Sequence, residues 1–129
     1  LGKIGPDREN SPEMLAEVKE KVFIARGAAY ARLGNSAAAR QDFATARDLA
    51  PNSTDGYINL AAIAVAENKP DEAVALYEKV LSISGTQFSA LDGLIKLYAS
   101  RKELGKAHAR LDQALSSFPN DPSLHYLKA

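Results

Sequence analysis

The side chains that could do acid–base or metal chemistry near neutral pH are few: His108, His125 and no cysteine at all. Without cysteine there are no disulfides, no thiolate nucleophile and no thiolate metal ligands. A zinc site would need carboxylates converging on the two histidines, and no His/Asp/Glu spacing resembles a metal motif. A serine nucleophile needs a histidine and an acid beside it, which helical spacing does not show and composition does not favour. Gly105-Lys106 lacks the upstream glycine and following hydroxyl of a phosphate loop, so it reads as a lysine at a helix start. Asn52-Ser53-Thr54 fits a glycosylation triplet, but such triplets recur by chance and this one falls on a turn. Glu17-Val18-Lys19-Glu20-Lys21 reads as a solvated helix face with i,i+4 charge pairs. The expectation is a protein that is not an enzyme and needs no cofactor or metal.

Charge narrows the partners. The 129 residues carry 16 basic and 16 acidic side chains, so the net charge is zero. A nucleic-acid module normally shows a basic excess, and none is present. No apolar run reaches the ~20 residues of a membrane helix, so no membrane insertion is expected. A cysteine-free chain suits bacterial cytoplasm and periplasm alike. The chain starts without Met and stops at Ala129 inside an apparent helix, which leads us to expect a piece of a longer protein. Leu1–Asn10 lacks the long apolar stretch of a signal peptide and is expected to be a flexible segment.

The elements that must position any site are helices. Ala, Leu, Glu, Lys and Arg dominate, all good helix formers, and no stretch alternates β-branched with polar residues as a strand would. Turn residues punctuate the chain at Leu33-Gly34-Asn35, Ala50-Pro51-Asn52, Asn68-Lys69-Pro70, Ser84-Gly85-Thr86 and Phe118-Pro119-Asn120. Pro51, Gly85 and Pro119 stand 34 residues apart, a spacing that calls for a repeat. The first copy, residues 20–53, holds Phe23-x2-Arg26-Gly27-x2-Tyr30 and then Ala39-x3-Phe43-x2-Ala46. The second, 54–87, holds Tyr57-x2-Leu60-Ala61-x2-Ala64 and Ala73-x3-Tyr77-x2-Val80. The third, 88–121, holds Leu91-x2-Leu94-Ile95-x2-Tyr98 and Ala107-x3-Leu111-x2-Ala114, and a fourth is cut short at 122–129.

This pattern resembles the tetratricopeptide repeat across at least residues 20–129. The resemblance implies an all-α fold, a right-handed superhelical solenoid of antiparallel helix pairs. Small residues then sit where paired helices cross, Gly27 against Ala39 and Ala61 against Ala73, while Phe23, Tyr30, Phe43, Tyr57, Tyr77 and Tyr98 fill the wedges between helices. Second helices are expected near 36–49, 70–83 and 104–117. The chain departs from the family at Arg26, where leucine is usual, at Ile95, where a small residue is usual, and at Gly85, which replaces the closing proline. Arg26 marks an end that is not a standard internal junction, and Ile95 should widen one crossing.

The resemblance also implies that the first helix of each pair lines a concave groove. By slot, the candidate partner-binding residues are Ile24, Ala28, Ala31 and Arg32 from copy one, Ile58, Asn59, Ala62 and Val65 from copy two, and Asp92, Lys96 and Ala99 from copy three. Such a floor is small and apolar at its centre, with room for an apolar peptide or helix of a partner protein. Some relatives hold a chaperone's C-terminal carboxylate with Lys, Asn and Arg on these helices. Here Ile24, Ala28, Ser89 and Gly93 occupy those slots and only Asn59 matches, so that activity is not expected. The leading expectation is a scaffold or adaptor, and the alternative is a structural spacer in a longer repeat array. RNA reading by a related helical repeat is opposed by the strict 34-residue period and the absent basic stripe.

Ser11-Pro12-Glu13 supplies a capping hydroxyl, a first-turn proline and an acid, so a helix should start at Pro12 and run to about Leu33. Residues 11–19 would be an N-terminal extension of the repeat domain at 11–129. Leu15, Val18 and Val22 fall on one face, with Met14 beside them. That stripe is the expected route to a homodimer, or to contacts with missing parts of the parent chain.

Overall fold

The computed structural model describes residues 11–85 and 87–117, and among them the chain is helix and turn without strand. Among the described residues six helices follow one another: α1 Pro12–Arg32, α2 Ser36–Leu49, α3 Asp55–Ala66, α4 Pro70–Ile83, α5 Phe88–Ser100 and α6 Leu104–Ser117. The segment expected at 1–10 and the fourth copy at 122–129, with His125, lie outside the described residues. The chain divides into two compact units at Ile63/Ala64, within α3.

Local chemistry sets the helix ends. The Ser11 hydroxyl accepts from the Met14 amide at 3.1 Å, so α1 starts where a capped proline start demands. The Asn35 side chain accepts from the Ala38 amide at 3.1 Å and opens α2. Pro70 occupies the first turn of α4 with Asp71 and Glu72, complementing the positive end of the helix. The turns closing α1, α3 and α5 share one geometry. Gly34, Asn68 and Lys102 all adopt positive φ, at 82°, 57° and 60°. In each, the next residue's amide reaches back to a carbonyl of the helix just ended: Asn35 to Tyr30 at 2.9 Å, Lys69 to Ala64 at 2.8 Å, Glu103 to Tyr98 at 2.8 Å. This is the Schellman closure, which satisfies carbonyls the helix end would orphan.

In the first unit α1 packs on α2. A Cβ at Gly27 would lie 2.6 Å from the Phe43 ring and 3.2 Å from Asp42 Cβ. At this crossing the Phe43 ring takes the space a side chain at 27 would need, and Ala39, one turn earlier on α2, is fully buried. Ala39, Phe43, Ala46, Tyr57, Leu60 and Ala61 are buried in this unit. Gly56 marks a second close approach, since a Cβ there would lie 2.8 Å from the Arg47 amide nitrogen. In the second unit α5 packs on α4 and α6 on α5, around Val80, Leu81, Ala90, Leu91, Leu94, Ala107, Leu111 and Ala114.

Two charged residues depart from expectation. Glu20 was expected on a solvated face but is 4% exposed. It lies two turns before Gly27 on the face of α1 that turns toward α2, so the packing that buries Gly27 buries it too. Arg26 does more than mark an atypical end. Its Nε and Nη2 donate to Asp42 Oδ2 and Oδ1 at 2.7 and 2.8 Å, a forked pair with a buried carboxylate.

Candidate partner-binding site

In the second unit, Ser89, Asp92, Gly93, Lys96, Leu97 and Ser100 recur at helical spacing along one face of α5. With Val65 and Tyr77 they line a cleft of about 410 Å³. Its depth comes from Gly93. A Cβ at that position would lie 2.6 Å from Tyr77 Cζ and 2.9 Å from its hydroxyl oxygen, so glycine alone leaves room for the phenol of α4 at the cleft floor. Burial, assisted by the nearby Asp92 carboxylate, pushes the Tyr77 hydroxyl above its ordinary range. It stays protonated at neutral pH and can donate a hydrogen bond.

The walls are mixed. Val65, 46% exposed, and Leu97 are apolar. Lys96 Nζ sits 2.9 Å from Asp92 Oδ2, an i,i+4 pair at the rim. The Ser100 hydroxyl donates to the Leu97 carbonyl at 2.8 Å, which ties its proton back to the helix. An apolar hollow with a phenol at its base and an ion pair at its edge can seat a small apolar side chain and bond one backbone carbonyl. Among the described residues no group of three His, Cys, Asp or Glu side chains is placed to hold a metal ion.

Of the groove residues expected from sequence, the cleft brings together Val65, Asp92 and Lys96. Ala99 is exposed on the same helix but does not line it. In the first unit Ile24, Ala28, Ile58 and Asn59 are half-buried, and Ala31, Arg32 and Ala62 are exposed. The Asn59 amide is turned inward along its own helix, donating to the Asp55 carbonyl at 2.8 Å. His108 is exposed. Met14 is half-buried, while Leu15, Val18 and Val22 are exposed. Sequence reasoning missed Tyr77 and Leu97. Tyr77 was assigned to wedge filling, and the signal that could have found it is Gly93, a glycine inside a helix with no turn to make.

Residues 64–129 match the family model described as tetratricopeptide repeat. No curated protein matches the chain. Among solved structures, MamA protein superposes with a TM-score of 0.67 and 22% identity, over 75% of this chain and 53% of that one. YrrB, described as a tetratricopeptide-repeat protein with an unusual peptide-binding site, superposes at 0.66 with 21% identity, over 84% and 56%. The Yersinia enterocolitica type III secretion chaperone SycD, in complex with a peptide of the translocator YopD, superposes at 0.69 with 17% identity, over 84% and 82%. At such identities the likeness is one of fold. The chain spans about half the length of MamA and YrrB.

Proposed function

The chain belongs to the tetratricopeptide-repeat family, and from that premise we propose that it is a protein-interaction adaptor that captures an apolar segment of a partner protein. The observation that carries this reading is the cleft in which Gly93 leaves room for the Tyr77 phenol beneath Val65 and Leu97. A helix rarely gives up a side chain at its middle, because glycine there costs ~1 kcal/mol relative to alanine. Here the glycine lets the Tyr77 phenol lie against α5, where it forms the floor on which a guest side chain would rest. YrrB and SycD, which share the fold, are described with a peptide-binding site and with a bound peptide.

By slot, the further proposed partner-binding positions are Ile24, Ala28, Ala31, Arg32, Ile58, Asn59 and Ala62 in the first unit and Ala99 in the second. Val65 is the better probe than Ile58, since it is exposed and aspartate there should leave folding intact. The protein co-purifying with the wild type from its native source should be lost on Val65→Asp, with unchanged helicity by circular dichroism. Ala109→Glu, at an exposed position on α6 outside the cleft, should retain it. Retention by Val65→Asp would remove the cleft from the reading and leave a spacer in a longer array.

A further inference from the structure

The first unit holds a second cleft, of about 570 Å³, between the N-terminal half of α1 and the turn after α2. We propose that it is a binding site for an arginine side chain of a partner segment, with the buried Glu20 carboxylate as its anchor. The reading is independent of the Val65 cleft, which lies in the other unit.

Glu20 is 4% exposed, and its Oε2 has no hydrogen-bond partner. A buried carboxylate left without a donor is among the most costly groups a fold can carry, so such a group calls for a reason. It lines the cleft with three further carboxylates, Glu13, Glu17 and Asp55, against a single cation, Lys21. Glu13, Glu17 and Glu20 follow one another at i, i+4 and i+7, on one face of α1. Among the described residues these acids are not placed to hold a metal ion. Four carboxylates spread along a cleft, rather than gathered at a point, suit a wider cation.

A guanidinium has that width. It offers five donors in a planar fork, keeps its charge when buried and is more weakly hydrated than an ammonium. Ala16 and Leu49 give the same cleft apolar lining, against which the methylene stem of arginine can lie. A guanidinium seated in the cleft would pair with the Glu20 carboxylate in its wall and balance the excess of negative charge.

The test uses the full chain, isotopically labelled, titrated with N-acetyl-arginine amide and followed by NMR. Saturable shifts are expected at amides of residues 13–21 and 49–55. Glu20→Gln, nearly identical in shape, should weaken binding at least tenfold, and the rim change Glu17→Gln should weaken it less. Glu20→Gln should also raise the melting temperature of the free protein, since the carboxylate oxygen Oε2 is buried there without a donor. N-acetyl-citrulline amide, which keeps the shape and lacks the charge, should give no saturable shift. Equal response to the citrulline compound, or unchanged affinity in both variants, would overturn the proposal.

Discussion

Arg26 stands in the slot that Leu60 and Leu94 fill in the next two copies, and there the chain exchanges an apolar contact for a charged one. Its side chain is 56% exposed, lies 5.4 Å from the Phe23 ring centre and 5.8 Å from that of Tyr30, and forks onto buried Asp42. The hydrogen bond from Arg26 holds the Asp42 carboxyl below its usual range, against the opposing push of burial. A depressed carboxylate contributes stability that is complete above its unfolded pKa and is lost as pH falls through the folded value. The wild type should therefore keep this share until the pH drops below ~4. In Arg26→Leu burial acts unopposed and raises Asp42 instead. That variant should be less stable at pH 7, since the buried Asp42 loses its donor, and the gap should narrow as the pH falls toward 4. Urea denaturation at pH 7, 5 and 4 measures it. The oddity of Arg26 was legible in the sequence, since it broke a slot pattern. Its partner was not, because a pairing across 16 residues depends on how the two helices cross.

The helices themselves were legible almost to the residue. A strict period fixes where second helices fall, and α2, α4 and α6 occupy 36–49, 70–83 and 104–117. The capping hydroxyl and proline at 11–12 placed the start of α1. What the sequence hid was the left-handed turn residue, because only the first of the three copies marks it with glycine. Asn68 and Lys102 take the same backbone conformation at a cost to their side chains. Lys102→Gly should therefore stabilise the protein by ~1 kcal/mol, read as a rise in the urea midpoint at constant slope. The crossing at Gly27 gives the opposite sign. Leucine there must displace the Phe43 ring, so Gly27→Leu should cost ~1–3 kcal/mol by overpacking. A thermal melt unchanged from wild type would contradict that geometry.

At the scale of the molecule, near-equivalent copies allow an error that unrelated elements do not. A hairpin can dock on the right kind of surface at the wrong address, one copy along the chain, and apolar slots such as Leu60 and Leu94 do not distinguish one address from another. The Arg26–Asp42 pair does. In copy two the corresponding residues are Leu60 and Leu76, and in copy three Leu94 and Arg110. Only the pairing of α1 with α2 brings a guanidinium to the buried carboxylate, and any slip by one copy strands at least one of the two charges against leucine. The pair then acts as a label on the first hairpin, read during assembly, with little to add to the final stability. Arg26→Leu/Asp42→Leu erases the label by giving copy one the apolar slots of copy two. Diluted from denaturant, it should match or exceed the wild type in equilibrium stability. It should nevertheless yield a larger fraction of swapped and oligomeric product by size-exclusion chromatography, because the wrong neighbour would no longer be refused.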